Sequence, residues 1–161
     1  MTQILAGLVG GLLALAGALG AQRMLAEIQR DDVARTLAAR FLTELDVMYV
    51  LATKARAYYS NAPRLAAAEA VSAVEHIRQV DGTGNGLAML VPMSVASPIR
   101  SAMNRATTLA FSVNPTNTDE QSWQDHLAAH AAGYNELETA FDIQFGPRRR
   151  TLRHPFRGVR A

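Results

Sequence analysis

The first charged side chain of this chain is Arg23. Ahead of it, residues 4–21 (ILAGLVGGLLALAGALGA) form an unbroken run of eighteen uncharged residues. As an α-helix such a run is about 27 Å long, close to the hydrocarbon thickness of a bilayer. Eight of the eighteen are Leu, Ile or Val, and the other ten are Gly or Ala. The eight favour insertion by about −2.5 to −5 kcal/mol. A cleaved signal peptide needs a positive segment ahead of its apolar core, and Met-Thr-Gln supplies only the α-amine. Ala16 and Ala18 do match an Ala-x-Ala cleavage pattern. Five glycines within residues 4–21 argue against a helix buried in a soluble core. The expectation is a retained transmembrane anchor over residues 1–22.

The small residues of this run have a use in lipid. Gly7 and Gly11 form a G-x-x-x-G pair, and Ala6, Gly10, Ala14 and Ala18 recur every four residues. Small side chains let membrane helices approach until van der Waals packing drives association. The partner is a second copy or another subunit, and the bland alternative is an Ala- and Gly-rich coding bias. Arg23, Arg30, Arg35 and Arg40 follow the run, and nothing charged precedes it. By the positive-inside rule the N-terminus lies outside and the C-terminal part in the cytoplasm. Fifteen of the sixteen basic residues are Arg. Together with the abundant alanine, that bias suggests a GC-rich bacterial or phage genome, and hence a bacterial inner membrane.

Net charge divides the remainder. Residues 23–147 carry ten basic and fourteen acidic side chains, and residues 148–161 carry six Arg and no acid. A mildly acidic body thus precedes a strongly basic tail. Cysteine is absent, which excludes disulfides, thiolate metal sites and Cys nucleophiles.

The body reads as helices. Ala34, Ala38, Phe41, Leu45, Met48, Ala52, Ala55 and Tyr59 alternate four and three apart, a heptad seam widened by Leu37, Leu42 and Leu51. Pro63 suits the first turn of a second helix over residues 63–80, with Val71, Val74 and Ile77 as core face and Ala67 and Ala70 beside them. Residues 81–86 (DGTGNG) read as a loop. Residues 87–96 are apolar but interrupted by Pro92, and Ser97-Pro98 reads as the start of a third helix through Ile99, Met103, Ala106 and Ala110. A loop at residues 114–117 precedes a capping box, Thr118 with Gln121. The fourth helix lines up Trp123, Leu127, Ala131, Tyr134, Leu137 and Phe141 and stops at Gly146-Pro147. The predicted fold class is all-α: one N-terminal transmembrane helix continuing into a roughly four-helix bundle with a basic C-terminal tail. The predicted domains are residues 1–22, 23–147 and 148–161.

Candidate chemistry is thin. His126 and His130 are four apart, a metal-gripping spacing, but the Glu of a zinc-protease motif is replaced by Leu127. Residues 81–86 imitate half a calcium loop, yet its twelfth position is Pro92 instead of Glu. They also lack the Lys-Ser/Thr ending of a phosphate loop. No Gly-x-Ser-x-Gly elbow occurs. Met89, Met93 and Met103 read as core filler, with an adaptable partner groove as alternative. No catalytic residue, metal or cofactor is expected.

The tail carries more. Arg148, Arg149, Arg150, Arg153, Arg157 and Arg160 alternate with Leu152, Phe156 and Val159. They suit an anionic surface: lipid headgroups, an acidic protein face or, less well supported by one short cluster, nucleic acid. The leading expectation is a non-enzymatic subunit or scaffold of a membrane complex. Its span packs on other membrane helices, and its cytoplasmic bundle and Arg tail dock a partner. The alternatives are a membrane-tethered sensor binding a ligand near Trp123, His126, His130 and Tyr134, and a virion or phage membrane protein whose tail touches nucleic acid.

Overall fold

A computed structural model describes residues 2–113 and 120–146, with side-chain surroundings from residue 17 onward. Four helices account for them: α1 (Thr2–Tyr58), α2 (Pro63–Ala88), α3 (Met93–Ser112) and α4 (Glu120–Phe145). No strand occurs among the described residues. Among these residues no helix is long and apolar enough to cross a membrane. Of the uncharged run, only residues 17–21 have described side-chain surroundings.

The heptad seam of α1 is the centre of the bundle. Ala34, Ala38, Phe41, Leu45, Met48, Ala52 and Ala55 are all at most 3% exposed. Tyr59, the last member expected, lies past the helix end and is exposed. The seam carries its bulk in the middle and alanine at both ends. Phe41, Leu42, Leu45 and Met48 meet the core formed by Leu87, Ile99, Leu109 and Leu137. Each such burial contributes about 1.5–3 kcal/mol. Residues 17–33 of α1 are exposed along their length.

Two sequence expectations are corrected in α2. Residues 81–86 are helical and continue α2 to Ala88. Its core face is Ala66, Ala73, Ile77, Val80, Gly84 and Leu87, whereas Val71 is exposed and Val74 half-buried. Three glycines disfavour a helix by about 1 kcal/mol each. Packing outweighs that cost, because Gly84 lies directly against side chains of α1 and α3. A Cβ there would meet Met103 Sδ at 2.5 Å and Phe41 Cε2 at 2.8 Å. A Cβ at Gly82 or Gly86 would meet nothing.

The third helix begins at Met93, ahead of the expected Ser97-Pro98. The Pro92 carbonyl accepts from the Val95 and Ala96 amides, each at 2.9 Å, and so starts the helix. Pro98 lies inside α3 and forgoes one backbone bond. The burial of Val95, Ala96 and Ile99 around it compensates. Ile99, Met103, Ala106 and Ala110 are buried as expected. Met89 and Met93 are not core filler: they are 81% and 69% exposed. In α4, Trp123, Tyr134, Leu137 and Phe141 are buried, and Gly146 ends the helix with φ +81°. The expected loop at 114–117 and Thr118 of the capping box lie outside the described residues. Gln121 spends its amide on Asp125 Oδ1 at 3.0 Å.

The helical reading of residues 81–86 has a direct test. Gly84→Ala should destabilise the detergent-solubilised chain by about 1–3 kcal/mol through overpacking. Gly82→Ala and Gly86→Ala should raise stability by up to about 1 kcal/mol each. Denaturant midpoints decide it. Losses at all three positions would mean a loop.

Candidate partner-docking surface

The helices run alternately away from residues 17–33 and back, which gives the bundle two distinct ends. At the near end the Arg30 Nε donates to the Leu90 carbonyl at 3.2 Å. The Arg35 guanidinium lies 6.0 Å from the Phe145 ring. These contacts place the α2–α3 turn and the end of α4 beside the point where α1 leaves the bundle. At the far end Arg56 Nη2 meets Glu120 Oε2 at 2.9 Å. That bond, followed by one from Gln124, holds the Glu120 carboxyl below its ordinary pKa. The Arg56 guanidinium also lies 5.7 Å from the Trp123 ring.

His126 and His130 have different surroundings. His130 is buried and stacked on Tyr49, with ring centroids 5.8 Å apart and planes 8° from parallel. Burial, and then the Arg105 charge, push its pKa down to about 4, so it is neutral at physiological pH. His126 is half-buried, 3.4 Å from the Ser122 hydroxyl. No group of three metal-ligating side chains occurs among the described residues. The ligand site expected near Trp123, His126, His130 and Tyr134 is filled by protein: Trp123 by Arg56, His130 by Tyr49, and Tyr134 through a 3.4 Å bond from its hydroxyl to Asp46 Oδ2.

Two polar arrangements were not legible in the sequence. His76 Nε2 lies 2.8 Å from Glu44 Oε2, and Arg40 Nε lies 3.3 Å from Glu44 Oε1. The His76 contact joins α2 to α1, and the Arg40 contact holds the same Glu44 carboxylate from within α1. Arg105 crosses from α3 onto α4, where its Nη1 donates to the Ala129 carbonyl at 3.1 Å. Gly133 leaves room for it, since a Cβ there would sit 2.8 Å from Arg105 Cδ. Both arrangements fasten helices together.

The remaining feature with binding character is an apolar groove of about 500 Å³ at the far end. Tyr59, Ala67, Val71 and Val74 form one wall, and Phe111 and Val113 the other. Val71 and Phe111 are 58% and 60% exposed. The valines assigned to the core from sequence therefore line an open surface. A second, smaller hollow of about 200 Å³ lies at the near end between Arg35, Ala39, Phe141 and Phe145. Of the expected packing strip, Ala18 is exposed, and Ala6, Gly7, Gly10, Gly11 and Ala14 lie outside the residues with described surroundings. The six tail arginines lie outside the described residues as well.

Compared with known proteins, the chain matches no family model, no curated protein and no solved structure.

His130 makes stability depend on pH. Its folded pKa is about 4 against an unfolded value near 6.5. Between those values the unfolded chain binds the extra proton, so stability falls as pH drops from about 6.5 towards 4, by up to about 3 kcal/mol. Above that window the group adds no pH dependence. Urea titrations of the chain and of His130→Phe should diverge in this window alone. Parallel curves would show that His130 is not buried in its neutral form.

Proposed function

We propose that this chain is a non-enzymatic, single-pass membrane protein that serves as a subunit or scaffold of a larger membrane complex. Residues 4–21 cross the bilayer, and the four-helix bundle presents docking surfaces on the cytoplasmic side of a bacterial inner membrane. The observation that carries this reading is the continuity of α1. One helix from Thr2 to Tyr58 contains the uncharged run at one end and the buried heptad seam at the other. Between Ala21 and Tyr58 it holds no Gly or Pro. The bundle is built on residues 34–55 of this helix, and residues 17–33 ahead of them are exposed. Lipid is the environment that suits an uncharged run of that length.

The strip of Ala6, Gly7, Gly10, Gly11, Ala14 and Ala18 supports packing on other membrane helices, its own copies included. The far-end groove supports docking of an apolar partner segment, because exposed contiguous apolar surface of this kind marks interaction sites. The sensor reading has less support, since its intended pocket is occupied by Arg56, Tyr49 and Asp46.

Membrane insertion is tested by alkaline extraction. The chain should stay with the membrane fraction, and Gly11→Arg should release much of it, because a central Arg costs about 2.5–3.5 kcal/mol on insertion scales. A reporter fused after Ala161 should be active only on the cytoplasmic side. Release of the unmodified chain, or outer-side activity, would refute the anchor or its orientation respectively.

The groove is tested by Val71→Asp with Phe111→Asp. Both positions are exposed, so each should alter stability by no more than about 0.5 kcal/mol. Photo-crosslinks from residues 59 and 67, which also line the groove, to partner subunits in the native membrane should disappear in the double variant. Unchanged crosslinking would exclude the groove as the docking surface.

A further inference from the structure

Residues 17–33 of α1, the arm ahead of the buried seam, divide by polarity around the helix axis. Ala18, Ala21, Leu25 and Ile28 recur three and four apart, the spacing of one helix face. Leu25 and Ile28 are 60% and 49% exposed, and Met24 beside them is 65% exposed. Leu19 and Val33 are exposed too but lie off this stripe. At 3.6 residues per turn, the stripe points about 170° away from the seam that runs from Ala34 to Ala55. Arg23, Glu27 and Arg30 point within about 30° of that seam instead. The seam is the side on which the other three helices pack, so the stripe faces away from the core of the bundle. An arm exposed to water on every side has no reason of its own to gather apolar residues on one face. A partner helix supplies one.

The flanks of the stripe identify the partner. The positions beside it are Gln22, Met24 and Gln29, all uncharged. Two identical helices, parallel and in register, set each flank against the same stretch of its copy, where charges of one sign would repel. Asp32, the next position along the stripe, would face its own copy, and there the apolar stripe ends. In sequence the same alternation runs back through Ala14, Gly11 and Gly7. Five side chains from each copy are far fewer than the about 20–30 a side of a stable interface, so free chains would not stay paired. Chains anchored in one membrane with one polarity meet at a raised effective concentration, with their arms already parallel.

Resting on the single-pass reading above, we propose that this arm is a homotypic contact. Two copies anchored in the same bilayer pair in parallel and in register along Ala18, Ala21, Leu25 and Ile28. The paired arms hold the two bundles on opposite outer sides and leave each far-end groove uncovered.

The test uses the full chain in isolated native membranes. The chain has no cysteine, so one introduced cysteine reports one position. Under mild oxidation Ala21→Cys, Leu25→Cys and Ile28→Cys should give a disulfide-linked product of twice the chain's mass. Its yield should exceed that of Arg23→Cys, Ala26→Cys and Glu27→Cys about fivefold, because the bond needs Cα atoms about 4.4–6.8 Å apart. Leu25→Glu and Leu25→Lys, each added to Ala21→Cys, should each lower the product about tenfold, and the two expressed together should restore it. Position 25 is exposed, so neither charge should disturb the bundle.

A chain that resists alkaline washing but crosslinks equally at all six positions overturns the pairing and leaves the anchor intact. A product of another mass from positions 25 and 28 overturns it too, because a different subunit then covers the stripe. A chain that washes out of the membrane defeats the anchor, and the pairing with it.

Discussion

Everything in this bundle depends on one seam of α1. Seven side chains from Ala34 to Ala55 are buried against all three other helices or the core they form. The order within the seam matters as much as its apolarity. Phe41, Leu45 and Met48 fill the middle, and pairs of alanines flank them. Bulk in the centre contributes the apolar burial, and small side chains at either end allow close helix approach. Gly84 extends the same logic to α2, where the absence of a Cβ makes space for Met103 and Phe41. The polar fastenings, Glu44 with His76 and Arg105 across Gly133, sit around this core and orient helices already held by it.

The alternation of four helices then separates two kinds of surface. The near end gathers the exit of α1, the α2–α3 turn and the end of α4, together with three exposed apolar residues. The far end gathers the Arg56–Glu120 pair and the apolar groove. The far end lies about 40 Å further along α1, at 1.5 Å per residue from Arg30 to Tyr58. The two exposed apolar surfaces thus share no side chain.

The parts of this arrangement legible in the sequence are those with a strong period. The alternation from Ala34 to Ala55 and the face from Trp123 to Phe141 were readable because burial repeats at fixed helical spacing. Residues 81–86 were misread because glycine propensity is local, while the need for Gly84 comes from residues 41 and 103 on other helices. The face of α2 was assigned to Val71 and Val74 because valines are more apolar than alanines. In the fold Ala66 and Ala73 hold the core positions, and the valines border the groove. Met89 and Met93 looked like core residues because composition cannot show that a turn points them outward. The near end was in principle readable: an even number of helices returns the chain to where it began.

The absence of any hinge in α1 between Ala21 and Tyr58 has a mechanical consequence. A helix without Gly or Pro in that stretch behaves as a lever whose fulcrum, under the proposed anchoring, is the membrane surface. Its outer arm is about 55 Å long. A tilt of about 20°, common for membrane helices, would carry the groove sideways by about 19 Å. The packing and interfacial anchors that set such a tilt would then also set where the groove stands relative to the point of anchoring.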